Sequence, residues 1–209
     1  ASALGRNDER PNVELAEAVA PHAHRAVPAE PMQKVATPGM STCEDGAALL
    51  QLPLGRTVKC IMLHAGGRVH MLVLRGDHSL NEVKVGKLDG LEGFRWASEA
   101  EITAATGCAP GYLGPVGLDA ATKINDGKVN VILDRGLENR QNLVCGANKL
   151  DHHYRNVVPG RDFSWTAVAD IRDVVAGEGC PQCGKPLKVA KAVEIGHIFK
   201  LGDRYTNKI

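Results

Sequence analysis

Four features of this sequence carry residue types from which a polar reaction site is built. Lys59 interrupts the apolar run Val58-Lys59-Cys60-Ile61-Met62-Leu63. The segment Gly111-Tyr112-Leu113-Gly114-Pro115-Val116-Gly117 holds glycines that permit positive φ and bring backbone amides close to a ligand. The β-like run Val129–Leu133 stops at Asp134-Arg135, and the stretch Cys145–Tyr154 contains Gly146, Asn148 and the pair His152-His153. An ammonium, exposed amides, a strand-end carboxylate and a histidine are parts from which a polar site can be built. Each also has a plainer reading: a lysine on the wet face of a strand, an ordinary turn, a surface pair of Asp134 with Arg135, a structural histidine. No serine–histidine–carboxylate or reactive-cysteine arrangement stands out, and Cys60, Cys108 and Cys145 read as small buried hydrophobes.

The elements that must position these groups follow from pattern and punctuation. Val13–Ala20 reads as a short helix ended by Pro21, inside a proline-rich extended lead-in that reaches about Gly39. Ser41–Leu52 reads as a helix capped by Ser41 or Thr42 and closed by Pro53. Thr57–His64 and Val69–Leu74 are strands joined by Gly66-Gly67, which predicts an antiparallel hairpin. Leu80, Val83 and Leu88 mark the apolar side of a helical stretch, and Ser98 with Glu101 forms a capping box for a helix ended by Gly107. Gly136–Asn142 is a turn or short helix, Thr166–Val175 a helix or short strand, and Val193–Phe199 a last strand. This order predicts an α+β fold, a curled mixed and mostly antiparallel sheet with flanking helices.

The chain has 209 residues, enough for one sizeable core with tails. Its 25 Lys and Arg nearly balance 24 Asp and Glu, a net charge of +1 that disfavours wrapping long nucleic acid but allows a local grip on a few phosphates. Aromatics are only 4% of residues, too few for extended base stacking. No stretch is apolar and long enough for a membrane span and no secretory leader is evident, so the expectation is a soluble cytoplasmic protein with no membrane partner and reduced thiols. Lys84, Lys87, Arg135, Lys149 and Arg155 are candidate phosphate contacts, or simply a solvated face. Cys180-Pro181-Gln182-Cys183-Gly184 has the spacing of half a zinc knuckle. Four ligands are needed and no second pair follows; His197 and the scattered cysteines complete the set only by chance placement, and His22, His24, His64, His70 and His78 form no ligand spacing. The expectation is no metal and no cofactor.

Several blocks then identify a resemblance. Val13–Pro21, Thr57–Leu63, Arg75–Lys84, the Gly111–Pro115 loop and Cys145–His153 resemble the insertion domain of bacterial prolyl-tRNA synthetase, one of the YbaK-like aminoacyl-tRNA deacylases. Val168–Val175 and Glu194–Gly202 resemble the return of that synthetase chain to its catalytic core. The resemblance implies the YbaK-like fold, with a flank over 1–39, an editing domain over 40–176 and a second flank over 177–209. It implies hydrolysis of the ester joining a wrong amino acid, chiefly alanine, to the 3′ end of proline tRNA, by a second and tighter sieve. It assigns Lys59, Gly111, Gly114, Asp134 and His153 to catalysis and Tyr112, Leu113, Pro115, Gly146 and Asn148 to substrate binding, with the free ribose hydroxyl helping to activate water. Substitution of Gly111 or Gly114 is expected to impair turnover more than folding. No counterpart of the ATP-binding or anticodon-binding parts is found, so the chain should not charge tRNA and should act beside the rest of a synthetase. The alternatives are Cys- or Ser-tRNA specificity, a non-catalytic tRNA-positioning insertion, or a small zinc module.

Overall fold

Gly66 and Gly67, at φ 55° and 73°, reverse the chain between β2 (Val58–Ala65) and β3 (Arg68–Arg75), with Ala65 opposite Arg68. Two successive positive φ values are what a tight two-residue hairpin demands. The computed structural model describes residues 14–19, 30–118 and 129–190. Within them β2 and β3 form the centre of a five-stranded sheet. On one side β4 (Arg95–Trp96) pairs antiparallel with β2, and on the other β5 (Val129–Asp134) and β8 (Ala167–Ala169) run parallel to β3. A second, antiparallel sheet joins β1 (Gln33–Ala36), β7 (His152–Val157) and β6 (Leu143–Gly146) in that order. An isolated bridge from Thr57 to Val144 links the two. The α+β class with mixed, mostly antiparallel strands holds, and the strands divide between two sheets.

The uninterrupted apolar run of β3 has a simple cause. Met71 and Val73 point into a core closed by the second sheet, through Leu143, Cys145 and Val157. Leu72 and Leu74 point into another core, against Val85, Leu91 and Ile171. A strand covered on both faces carries no polar alternation.

The helices are short. α1 (Cys43–Leu49) is capped by Thr42, whose side chain accepts the Asp45 amide. α2 (Glu82–Val85) is a single turn capped by Asn81, so the helical period expected over residues 80–88 does not apply: Val85 is buried and Val83 exposed. α3 (Glu99–Thr106) carries the complete Ser98–Glu101 capping box and ends at Gly107, φ 73°. Two three-residue 3-10 turns complete the helical content of the described residues, Leu54–Arg56 and Arg135–Leu137.

Three expectations need correction or placement. Gln33–Ala36, read as lead-in, is a strand paired with β7. Glu14–Val19, read as part of a helix, are turn and irregular backbone, and the Ala18 amide bonds the Asp170 carboxylate at 2.9 Å instead of a helical carbonyl. The strand expected over Val193–Phe199, with His22, His24 and His197, lies outside the described residues. No helix among the described residues is long and apolar enough to cross a membrane.

Candidate active site

The site is built on a backbone crossing. Residues 111–115 pass over the end of β6 so closely that neither glycine at the crossing has room for a side chain. A Cβ on Gly114 would overlap the Gly146 carbonyl, and one on Gly146 would overlap the backbone of Tyr112 and Leu113. Gly111 is needed for another reason: its φ of 109° lies in the region only glycine adopts freely, with the Ser41 side chain 3.0 Å from its Cβ position.

Asn148 ties the crossing together from φ 49°. Its Oδ1 accepts the Gly114 amide at 3.0 Å, and its Nδ2 donates to the carbonyls of Gly114 (2.9 Å) and Val116 (3.1 Å). Its own amide donates to the Tyr112 carbonyl at 2.9 Å. The Gly114 amide is thereby occupied. The amides of Gly111 and Leu113 make no hydrogen bond to the described residues.

His153 sits on β7, opposite Val35 of β1 and Gly146 of β6. Its Nδ1 lies 2.6 Å from the buried Thr37 hydroxyl, and the Tyr112 ring meets it edge-on at 5.7 Å between centroids. The Tyr112 hydroxyl donates to Asp151 Oδ1 at 2.7 Å, an oxygen that also accepts the Gly39 amide at 2.8 Å. Those two bonds, the amide first, hold the Asp151 carboxyl below its usual range. Burial lowers the pKa of His153, so its ring is neutral near pH 7. With Nδ1 on Thr37, Nε2 is the nitrogen left for a substrate.

Lys59 stands half-buried on β2, opposite Leu74. Among the described residues no carboxylate forms an ion pair with it. Lys59, Gly111 and His153 open on one cleft of about 240 Å³, together with Leu113 and Gly146. Ser41, Thr42 and Thr57 give it a polar wall, and Met62, Ile102 and Val144 an apolar one. Tyr112, Gly114, Pro115 and Asn148 are not among the lining residues; Tyr112, Gly114 and Asn148 act on those that are, through the contacts above. Cys43 and Cys60 also line the cleft, but burial pushes both thiols up, and Cys145 beneath them to about 12. Neutral thiols are poor nucleophiles.

Asp134 is elsewhere. It is 1% exposed, accepts the Gly136 amide at 2.8 Å and the Ile171 amide at 3.4 Å, and faces Arg172 Nε at 3.6 Å. It caps the turn Arg135–Leu137 rather than lining the cleft. Its partner is not Arg135, which reaches Glu17 at 3.0 Å, but the buried Arg172, which also holds Glu178 at 2.7 Å. Burial raises the Asp134 carboxyl pKa against the opposing pull of Gly136 and Arg172. Lys84, a candidate phosphate contact, is likewise engaged, by Asp170 at 2.9 Å and the Arg172 carbonyl at 2.8 Å.

Sequence reasoning missed Thr37 and the Ser41, Thr42 and Thr57 wall. Thr42 was legible only as a helix cap, and Thr37 has no local pattern because its partner is 116 residues away.

Comparison with known proteins accords with this geometry. The family model of the aminoacyl-tRNA editing domain matches residues 37–163. The proline–tRNA ligase of Thiobacillus denitrificans is 50% identical over 201 residues, covering 96% of this chain and 34% of the relative. That of Acidobacterium capsulatum is 49% identical over 185 residues, 84% of this chain and 32% of the relative. The chain thus spans about a third of the length of the curated relatives it matches. A solved candidate trans-editing enzyme for prolyl-tRNA synthetase shares the fold with a TM-score of 0.55 and 18% identity, over 68% of this chain and 87% of that one.

Proposed function

Because the chain belongs to the aminoacyl-tRNA editing domain family, we propose that its cleft hydrolyses the ester joining alanine to the terminal ribose of proline tRNA. It would do so as part of a bacterial-type prolyl-tRNA synthetase. The observation that carries this reading is the meeting of Lys59, Gly111 and His153, far apart in sequence, on one small cleft.

Each group has a part that its surroundings support. The Lys59 ammonium binds a phosphate or ribose oxygen of the tRNA end and fixes the ester. The amides of Gly111 and Leu113, rather than that of Gly114, are free to donate to the ester carbonyl as its oxygen gains charge. Neutral His153, oriented by Thr37, offers Nε2 to the aminoacyl group. Water adds to the carbonyl carbon, the bond to the ribose oxygen breaks, and that oxygen takes a proton. The neighbouring ribose hydroxyl assists the water. Met62, Ile102 and Val144 limit the room beside the ester and favour a methyl side chain over the proline ring. Asp134 is a supporting residue on this reading. The editing unit comprises β1 together with residues 40–176, and 177–209 lead towards the rest of the synthetase.

Incubation with proline tRNA charged with alanine, cysteine, serine or proline tests the proposal. Release of alanine with proline retained is expected. Equal release of all four, or of none, removes the alanine-editing reading, and selective release of cysteine or serine transfers it to that residue.

A further inference from the structure

Two segments that line the cleft are joined behind it by a single carboxylate oxygen. Gly111 and Leu113, on either side of Tyr112, belong to the lining, and so do Ser41 and Thr42, which follow Gly39 closely. Asp151 Oδ1 accepts the Tyr112 hydroxyl at 2.7 Å and the Gly39 amide at 2.8 Å. Asp151 itself is not among the lining residues.

The backbone of Asp151 grips the first of these segments again. The Thr37 amide donates to the Asp151 carbonyl at 2.8 Å, and the Thr37 hydroxyl meets His153 Nδ1 at 2.6 Å. The Tyr112 ring, for its part, lies edge-on to the His153 ring. His153 is therefore held by two groups, Thr37 and Tyr112, that both end on Asp151. A hydrogen bond to an ionised acceptor is roughly twice as strong as one between neutral groups, and here one such oxygen takes two.

We propose that Asp151 is a positioning residue for hydrolysis in this cleft. Through Tyr112 and Gly39 it fixes residues 111–113 against residues 39–42, with the His153 ring set between Tyr112 and Thr37. The inference rests on the deacylase reading of the cleft. The Gly111 and Leu113 amides and His153 Nε2 act only when aimed at the ester, and none of them is anchored by a bond of its own at the reacting end.

The test compares Asp151→Gly, Asp151→Asn and Tyr112→Phe in the full chain, by deacylation of alanine-charged proline tRNA and by 15N NMR of the His153 ring nitrogens. Glycine accepts the φ of 58° found at Asp151 and keeps the backbone bond to Thr37, so only the carboxylate is lost. Phenylalanine keeps the ring and loses only the hydroxyl. Asp151→Gly and Tyr112→Phe should each lower kcat about 10-fold or more with KM unchanged, because Lys59 is untouched. The double variant should be no slower than Asp151→Gly. Asp151→Asn, whose amide oxygen accepts from the same two donors, should restore most of the loss. The His153 nitrogens should report one tautomer in the wild-type chain and in Asp151→Asn, and an average of two in Asp151→Gly.

Wild-type kcat in folded Asp151→Gly or Tyr112→Phe, a change confined to KM, an equal loss in the glycine and asparagine variants, or unmoved His153 signals would each overturn the proposal. If Asp151→Gly fails to fold, Tyr112→Phe decides it by the same two measurements. If the wild-type chain releases no alanine, the deacylase reading fails, and the His153 signals alone decide whether Asp151 sets that ring.

Discussion

Asn148 grips Gly114 by both of its backbone groups, accepting its N–H at 3.0 Å and donating to its carbonyl at 2.9 Å. With the further bond to Val116, one side chain sets how the loop lies across β6 and so where the Gly111 and Leu113 amides face. Asn148→Ala deletes three hydrogen bonds and should cost about 2–4 kcal/mol of stability and about 100-fold in kcat/KM. Asn148→Asp can neither donate to Gly114 nor to Val116 and should resemble the alanine variant. Urea unfolding and single-turnover deacylation check both, and wild-type turnover in either variant contradicts the role.

The two loop glycines should respond differently. Gly114→Ala drives a methyl into the Gly146 carbonyl, a backbone atom that cannot step aside, so folding and turnover fall together by a change of about 3 kcal/mol or more. This differs from the expectation drawn from sequence that turnover suffers more. Gly111→Ala meets the Ser41 Cβ at 3.0 Å, which gives way only if the backbone shifts by a few tenths of an ångström, and a strained φ, about 1–2 kcal/mol. Its larger effect is on turnover. Parallel melting and deacylation curves separate the two cases.

Lys59→Ala should raise KM for charged tRNA about 10-fold and flatten the salt dependence of kcat/KM by roughly one ion. Folding should be little affected, since no carboxylate among the described residues pairs with Lys59. An unchanged salt slope would show that this ammonium meets no phosphate.

Asp134→Ala should act on stability. It leaves two amides and the Arg172 guanidinium short of a partner in the core, at a cost of about 3 kcal/mol. Per folded molecule, kcat/KM should stay near wild type. A fall of 100-fold or more in fully folded protein would return Asp134 to the reacting centre.

Acid should destabilise the fold before its carboxylates titrate. Burial, then the Arg172 and Arg75 guanidiniums, lower His78 from 6.5 to about 4, and burial lowers His153. The unfolded chain therefore takes up protons from about pH 6.5 downward that the folded chain refuses. Stability is full above that pH and is lost as pH falls towards 5, by up to about 1.4 kcal/mol per unit for each histidine. Urea unfolding at pH 7, 6 and 5 measures the slope. A flat or rising profile is incompatible with two buried neutral histidines.

Much of this protein was determined locally and is legible in the chain itself. Gly66-Gly67 dictates its hairpin, Ser98 and Glu101 their capping box, and Gly107 a helix end, because each acts within a few residues. The resemblance to an editing domain placed Lys59, Gly111 and His153 among the site residues, and the structure brings those three to one cleft. What tertiary structure alone decided is the set of long-range contacts. A strand pattern of period two cannot say that β5 runs parallel to β3, since neighbours are chosen by the crossover and the second sheet. A strand-end aspartate looks the same whether it meets a substrate or a buried arginine 38 positions later; the core put Arg172 beside Asp134. Thr37 carries no mark in its own neighbourhood, because the group it holds comes from a segment 116 residues away; Asn148 was marked by the resemblance as a substrate contact, but that its side chain holds Gly114, 34 residues back, only the fold decides.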